Sequence, residues 1–147
     1  KSAHYINSVL YNDWIVSEII RYYSHTSSIV IYMSDHAVTR YDDPLEPHST
    51  AHSMTQHSLS IPFMVYMSDQ FMAENPDIVK LVKGACHRPF MTDLFTNSLL
   101  SLMGIQVPYS SPQIELWSAQ YDVSRPREVH EWGEEVAFEP KYPNQLQ

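Results

Sequence analysis

The sequence predicts an α/β fold in which part of a parallel sheet is covered by helices. Two short segments, Ile29–Met33 and residues 61–67, are continuously apolar and rich in β-branched or aromatic side chains, as in strands covered on both faces. Helical patterns precede the first segment and follow the second, an order typical of a sheet with helices on its faces. A hydrophobic share of 44% in 147 residues is enough to form a core.

Three helices are predicted around these strands. Residues 5–23 repeat apolar side chains at intervals of three and four, which predicts a helix packed on one face. A second helix follows an Asn-Pro pair, which supplies an N-cap and a first-turn proline, and it ends at Gly84. A third is expected to be capped by Thr92 and stopped by Gly104.

The remaining segments carry weaker patterns. Residues 37–60 show no sustained periodicity and predict a long loop, a type of segment that in compact domains is usually functional or disordered. A short strand is expected around residues 114–117. We expect residues 1–122 to form the folded part and residues 123–147, which are polar and interrupted by prolines, to form a partly irregular C-terminal arm.

Charge, cysteine content and hydropathy bear on which partners and compartments the protein could have. A net charge of −8 with nine Lys and Arg residues that do not cluster argues against nucleic acid as a partner. The single cysteine cannot form an internal disulfide and does not indicate a compartment. No apolar run approaches the roughly 20 residues of a membrane-spanning helix. The chain starts at Lys1 and enters a periodic segment within a few residues, so we expect a piece of a longer protein.

Asp35 and His36 are the strongest candidates for chemistry, because they directly follow a predicted buried strand. Ligands gather outside the carboxyl ends of strands in such sheets. A carboxylate beside an imidazole suits Zn²⁺ or Mn²⁺ when further ligands come from elsewhere. Spacing alone favours a simpler alternative, in which Asp35 caps the next turn and His36 is an ordinary, partly buried histidine.

The long loop adds candidates that spacing cannot rank. His48, His52 and His57 offer metal-ligating or phosphate-binding nitrogens, yet solvated loop histidines are equally ordinary. No serine or threonine is assigned as a nucleophile, because a hydroxyl carries little information without a placed base or metal.

Several segments together resemble a known family. The segments YINSVLYNDWIVSEII and SSIVIYMSDHA give a helix and then a strand ending in Ser-Asp-His. They are followed by YDDPLEPHST, IPFMVYMSDQF and RPFMTDLFTNSLLSLMGI. In this order they resemble the phosphoethanolamine transferases of the alkaline phosphatase and sulfatase superfamily, where the first strand ends in SDHG. The resemblance covers nearly the whole chain and is most specific at Ser34-Asp35-His36.

The resemblance implies a partial alkaline-phosphatase-like sheet covered by helices. Residues 1–122 would be the C-terminal segment of a sulfatase-like periplasmic catalytic domain. The enzyme would move phosphoethanolamine from phosphatidylethanolamine to a lipid A, core-sugar or glucan acceptor. Its place would be the inner membrane of a Gram-negative bacterium, which it would reach through an N-terminal region missing from this chain.

The resemblance also implies roles for individual residues. Asp35 and His36 match two zinc ligands, with Mn²⁺ as the alternative ion. His48 matches a histidine near the substrate phosphate, and His52 takes its place if the loop alignment slips. The family's threonine nucleophile and glutamate ligand would lie upstream. No catalytic residue is therefore expected in this chain, which would be catalytically incomplete alone.

Four positions depart from the family pattern. Ala37 replaces the glycine of SDHG, Val38 and Thr39 replace acidic residues, and Pro47 replaces the glycine before His48. Two alternatives therefore stand beside the transferase: a hydrolase of the sulfatase or phosphodiesterase type, and a non-catalytic fragment that has lost metal binding. The helix and tail segments favour the transferase, and the changes at Ala37, Val38 and Pro47 favour the non-catalytic fragment.

Overall fold

A computed structural model describes residues 2–37, 59–131 and 134–137. The chain divides into two compact units, the first within Lys1–Ala37 and Ile61–Pro76 and the second within Val38–Ser60 and Asp77–Gln147. The elements in chain order are α1 (Ser2–Tyr23), β1 (Ile29–Met33), β2 (Phe63–Met67), α2 (Asp69–Glu74), α3 (Pro76–Gly84), α4 (Phe95–Leu102), β3 (Glu128–Glu131) and β4 (Glu134–Ala137).

The sheet of the first unit is antiparallel, so the predicted parallel arrangement is wrong for this pair of strands. Ile29 lies opposite Met67 and Met33 lies opposite Phe63. A parallel connection needs a crossover, usually a helix, and the sequence between the strands has no helical periodicity. The carboxyl ends of β1 and β2 therefore lie at opposite ends of the sheet.

Helix α1 confirms the predicted helix but has a wider apolar surface than predicted. One side lies on β1, where Asn12 Nδ2 donates a hydrogen bond of 2.6 Å to the Tyr32 hydroxyl, and Val16 is buried. Tyr11 and Trp14 stack with ring centroids 5.7 Å apart, yet their side chains are 62% and 55% exposed. Apolar residues on more than one side are typical of a helix inside a larger core.

No helix among the described residues combines the length and hydropathy needed to cross a bilayer.

A buried serine joins β1, β2 and α2. Ser68 follows β2 and is fully buried. Its hydroxyl donates to the Thr26 carbonyl at 2.6 Å and accepts from the backbone N–H groups of Ser28 and Phe71, each at 3.1 Å. The bond from Phe71 caps α2, a helix that was not predicted. Its sequence signal is the serine followed by Asp69 in the first turn.

The second unit confirms both of its predicted helices, with one correction. Helix α3 has the predicted bounds, and α4 follows a 3₁₀ turn at Thr92–Leu94. Thr92 is the first residue of that turn and not its cap, because the cap position is Met91, which makes no side-chain capping bond. Gly104 ends the α4 segment with φ of 71°, a backbone conformation that suits glycine.

The predicted strand at residues 114–117 is wrong. Pro112–Ile114 forms a 3₁₀ turn, and Leu116 and Trp117 are buried. The fully buried Ser98 of α4 provides the reason: its hydroxyl accepts the Leu116 N–H at 2.9 Å and its carbonyl accepts the Trp117 indole N–H at 2.8 Å. The backbone donor that a strand would pair is therefore used by a helix side chain.

Further bonds fasten the segment that follows. Arg88 Nη1 donates to the carbonyls of Leu116 and Ser118. The Tyr121 hydroxyl donates to the Pro89 carbonyl at 2.9 Å. Arg125 holds both carboxylate oxygens of Asp93, at 3.2 and 2.6 Å, and this hydrogen bonding raises the pKa of Arg125. Residues 116–125 are thus tied to residues 88–98.

An unpredicted hairpin lies within the predicted arm. Strands β3 and β4 pair antiparallel, with Glu128 opposite Ala137. The two strands are separated by a Trp-Gly pair in the sequence, a spacing typical of hairpins. The division into residues 1–122 and 123–147 stays a prediction.

Replacing Ser68 by Ala should destabilise the first unit. Two N–H groups, of Ser28 and Phe71, would lose their acceptor at a buried position, so we expect the free energy of unfolding to fall by about 1–3 kcal/mol. Urea denaturation, together with hydrogen exchange at these two amides, measures the loss. The control is Ser8→Ala at an exposed position of α1. It removes a hydrogen bond within one helix and should change the free energy of unfolding by less than about 0.5 kcal/mol. Equal losses in both variants would contradict the role of Ser68.

Candidate functional site

Asp35 and His36 lie where the sequence places them, directly after β1. Their side chains are 88% and 50% exposed, so His36 is half buried, as the simpler alternative expects. Asp35 Oδ1 also accepts a local backbone N–H, that of His36, at 2.9 Å. The pair therefore combines a local backbone bond with side chains that solvent can reach.

One polar side-chain atom of each residue in the pair bonds to the backbone, and the other faces its partner's side chain. His36 Nδ1 lies 2.9 Å from the Ala37 carbonyl. Because a carbonyl oxygen only accepts, Nδ1 must carry a proton in this contact, and the neutral imidazole keeps its lone pair on Nε2. Asp35 Oδ1 is held by the backbone N–H, and Oδ2 faces His36 Nε2 at 4.0 Å.

The same contacts set the charge of Asp35. The His36 backbone N–H, and after it the imidazole, lower the pKa of the Asp35 carboxyl below its ordinary value. The carboxylate is therefore ionised at neutral pH. An ionised carboxylate and an unprotonated Nε2 are the forms in which these side chains bind a cation.

The donor atoms suit a metal ion in type, and a small movement would bring them to zinc spacing. In a tetrahedral zinc site two ligand atoms lie about 3.3–3.4 Å apart, so Oδ2 and Nε2, which are 4.0 Å apart, would have to approach each other by roughly 0.6 Å to share an ion. In the part of the chain that the structure describes, no group of three or more His, Cys, Asp and Glu is arranged to hold a metal. Asp35 and His36 would therefore supply two of the four ligands of a zinc site.

Ser34 contacts the candidate pair, although the sequence analysis assigned it no role of its own. Its hydroxyl lies 2.6 Å from the His36 carbonyl and 3.4 Å from Asp35 Oδ1. The sequence signal is a hydroxyl directly before the metal-ligand pair. The predicted substrate-binding residues, His48 and His52, lie outside the described residues, as does His57.

Two clefts in the described residues lie elsewhere. A shallow groove of about 390 Å³ runs along the C-terminal half of α1, between Trp14 and Tyr23. A second cleft of about 380 Å³ lies between α3 and α4 and includes Leu81 and Trp117. Both are mainly apolar, and Glu18 and Arg21 in the first groove form an ion pair with each other. Neither cleft brings together the groups that the candidate chemistry needs.

The Asp35 carboxyl should titrate below its ordinary pKa of 3.8, since its ionised form accepts the His36 N–H. Carbon-13 NMR of the carboxyl across pH measures this. His36→Gln keeps the N–H and removes the imidazole, so it should raise the midpoint only partly. His36→Pro removes the main cause and should raise it further. A wild-type midpoint at or above 3.8 would contradict the arrangement.

Comparison with known proteins shows what the chain is similar to. Residues 2–105 match the family model described as Sulfatase. The phosphoethanolamine transferases EptC of Escherichia coli O18:K1:H7 (strain RS218 / NMEC) and of strain K12 are 35% and 33% identical to this chain over 78 residues. The matches cover 49% of this chain but 13% of each relative. The chain thus matches a small part of their length.

Two solved structures have a similar fold. One is the C-terminal periplasmic domain of EcEptC from Escherichia coli, with a TM-score of 0.74, 20% identity, and coverage of 88% of this chain and 37% of that chain. The other is the same domain in complex with Zn, with a TM-score of 0.72, 22% identity, and coverage of 87% and 37%. At these identities the likeness is one of fold.

These findings confirm the predicted fold class, a partial sulfatase-like sheet with helices, although β1 and β2 pair antiparallel. The Sulfatase model matches well over half of this chain. The chain therefore belongs to the sulfatase family and is homologous to the EptC phosphoethanolamine transferases.

Proposed function

We propose that this chain is the C-terminal segment of a phosphoethanolamine transferase. The enzyme would move phosphoethanolamine from phosphatidylethanolamine to a lipid A, core-sugar or glucan acceptor. One observation supports the proposal. In this chain, which is homologous to EptC, Asp35 Oδ2 and His36 Nε2 face each other at the end of β1, 4.0 Å apart. Both are donor types that zinc uses.

Zinc is the metal we propose, held by Asp35 and His36 with further ligands from outside this chain. The Zn complex of the EcEptC periplasmic domain supports this choice. When bound, the ion would polarise a phosphoryl oxygen and favour attack on phosphorus. The chain's own residues orient the donors, since Asp35 Oδ1 accepts the His36 N–H and the Ala37 carbonyl holds the proton on His36 Nδ1.

The remaining roles follow from the resemblance to the family. His48, or His52 if the loop alignment differs, would neutralise charge on the substrate phosphate. The threonine nucleophile would come from residues outside this chain. The catalytic domain would be periplasmic, as in the solved EcEptC structures, and the inner membrane would be reached through a region that this chain does not include.

A hydrolase of the same family is the second candidate. The family match, Sulfatase, fits hydrolysis as well as transfer. The names of the homologues favour transfer. The third alternative, a non-catalytic fragment, is weakened by the two donor atoms that face each other at 4.0 Å.

Zinc binding should depend on the pair. In equilibrium competition with a fluorescent chelator, Asp35→Ala and His36→Ala should each weaken Zn²⁺ binding at least about tenfold, because each removes one of two ligands. Asp69→Ala is the matched control, since Asp69 is exposed and follows β2 after a serine, as Asp35 follows β1. A wild-type chain that binds zinc no better than the Asp35 variant would refute the proposed metal site.

The reaction can be tested in a chimera of E. coli EptC that carries this chain in place of the segment it matches. We expect labelled phosphatidylethanolamine to yield diacylglycerol and a labelled acceptor, with loss of both products in Asp35→Ala and retention in Asp69→Ala. Diacylglycerol with free phosphoethanolamine would favour the hydrolase. A folded, zinc-loaded chimera that forms neither product would favour the non-catalytic fragment.

A further inference from the structure

The Ser34 hydroxyl closes the turn that carries the metal-ligand pair. It has two acceptors within reach, the His36 carbonyl at 2.6 Å and Asp35 Oδ1 at 3.4 Å. A hydroxyl has one hydrogen to donate, and the shorter contact is the bond to the carbonyl. The Ser34 hydroxyl thereby donates to the backbone carbonyl two residues later, which is a local side-chain-to-backbone bond.

The bond lies within the same turn as the contacts of both candidate ligands. It holds the His36 carbonyl, and with it the peptide plane between His36 and Ala37, and the next carbonyl, of Ala37, lies 2.9 Å from His36 Nδ1. On the other side of the turn, the His36 N–H reaches Asp35 Oδ1 at 2.9 Å. Each candidate ligand is thus restrained at one side-chain atom, which leaves Asp35 Oδ2 and His36 Nε2 for a cation.

Packing within the described residues covers these side chains only in part. Asp35 is 88% exposed and His36 is 50% exposed. Exposed side chains change rotamer within picoseconds to nanoseconds. Among the described residues, local hydrogen bonds are therefore the contacts that preserve the arrangement, and ligands held before binding cost less entropy when a metal binds.

We propose that Ser34 is a positioning residue, whose bond to the His36 carbonyl keeps the turn in the form that presents Asp35 Oδ2 and His36 Nε2 to a divalent cation. Ser34 itself does not touch the metal. The metal part of this inference rests on the proposed function, whereas the effect of Ser34 on the state of His36 does not.

Three variants of the whole chain isolate the hydroxyl. Ser34→Ala removes the donor, and Ser34→Thr keeps it. Ser34→Cys has a side chain of similar size and a weaker donor. It replaces Ser34→Ala if circular dichroism shows that the alanine variant is unfolded. Ser24→Ala is the matched control, because the Ser24 hydroxyl donates to the backbone of the same unit, at the Arg21 carbonyl, away from the pair.

The first readout is the His36 tautomer without metal. Nitrogen-15 NMR at pH 8, with the His36 signals assigned by their loss in His36→Gln, should show Nδ1–H in the wild-type chain and in Ser34→Thr. Ser34→Ala should shift part of the population to Nε2–H, because the Ala37 carbonyl is no longer held in place. A role in general stability alone would not change the tautomer.

The second readout is the Zn²⁺ dissociation constant from chelator competition. Ser34→Ala should raise it about fivefold, the effect expected of one net hydrogen bond, and Ser34→Thr and Ser24→Ala should stay within about twofold of wild type.

The outcomes separate this inference from the proposed function. A Ser34→Ala chain with wild-type tautomer and wild-type zinc affinity overturns the positioning role, whatever the ligand variants do. A wild-type chain with Nε2–H at His36 overturns it too. In a third outcome the His36 tautomer shifts in Ser34→Ala, but the Zn²⁺ dissociation constant is unchanged in Asp35→Ala and His36→Ala. The positioning role then stands and the proposed metal site fails.

Discussion

The antiparallel pairing of β1 with β2 is the constraint on which the first unit and its candidate site depend. One end of the pair is locked by Ser68, whose N–H donates to the Ser28 carbonyl at 3.0 Å and whose hydroxyl accepts the Ser28 N–H. A slip of one residue would break these bonds and turn every side chain of a strand to the opposite face. The register of the two strands is thus fixed at the end of the sheet remote from Asp35. The end next to Asp35 can therefore be exposed to solvent while the strands stay in register.

Local patterns in the sequence predicted most elements, and tertiary choices account for the errors. Strand β1 has the predicted bounds because a short apolar, β-branched run favours a strand, although its residues are only partly buried and not covered on both faces. Such a run does not indicate strand direction, which explains why the predicted parallel pairing was wrong. The segment before Trp117 has a strand-like composition, but the Ser98 hydroxyl takes the Leu116 N–H. No local pattern identifies a partner 18 residues away.

The sequence could propose the residues of the candidate site but not the geometry of their atoms. Position after a strand and the resemblance at Ser34-Asp35-His36 predicted Asp35 and His36 as metal ligands, and this role stays a prediction. Which oxygen and which nitrogen remain open to a metal depends on where the backbone places the His36 N–H and the Ala37 carbonyl, and this geometry is not encoded in spacing. The roles of His48 and His52 stay predictions, because both lie outside the described residues.

The described core and the candidate metal-ligand pair are held by different kinds of contact. Both strands are only partly buried, α1 leaves Tyr11 and Trp14 exposed, and a two-stranded sheet alone is marginally stable. These features are typical of part of a larger core, in agreement with a chain that covers 37% of the solved EcEptC domain. The geometry of Asp35 and His36, in contrast, comes from hydrogen bonds within residues 34–37. The candidate pair is therefore positioned by local contacts, whereas the exposed apolar surface is a property of the whole first unit.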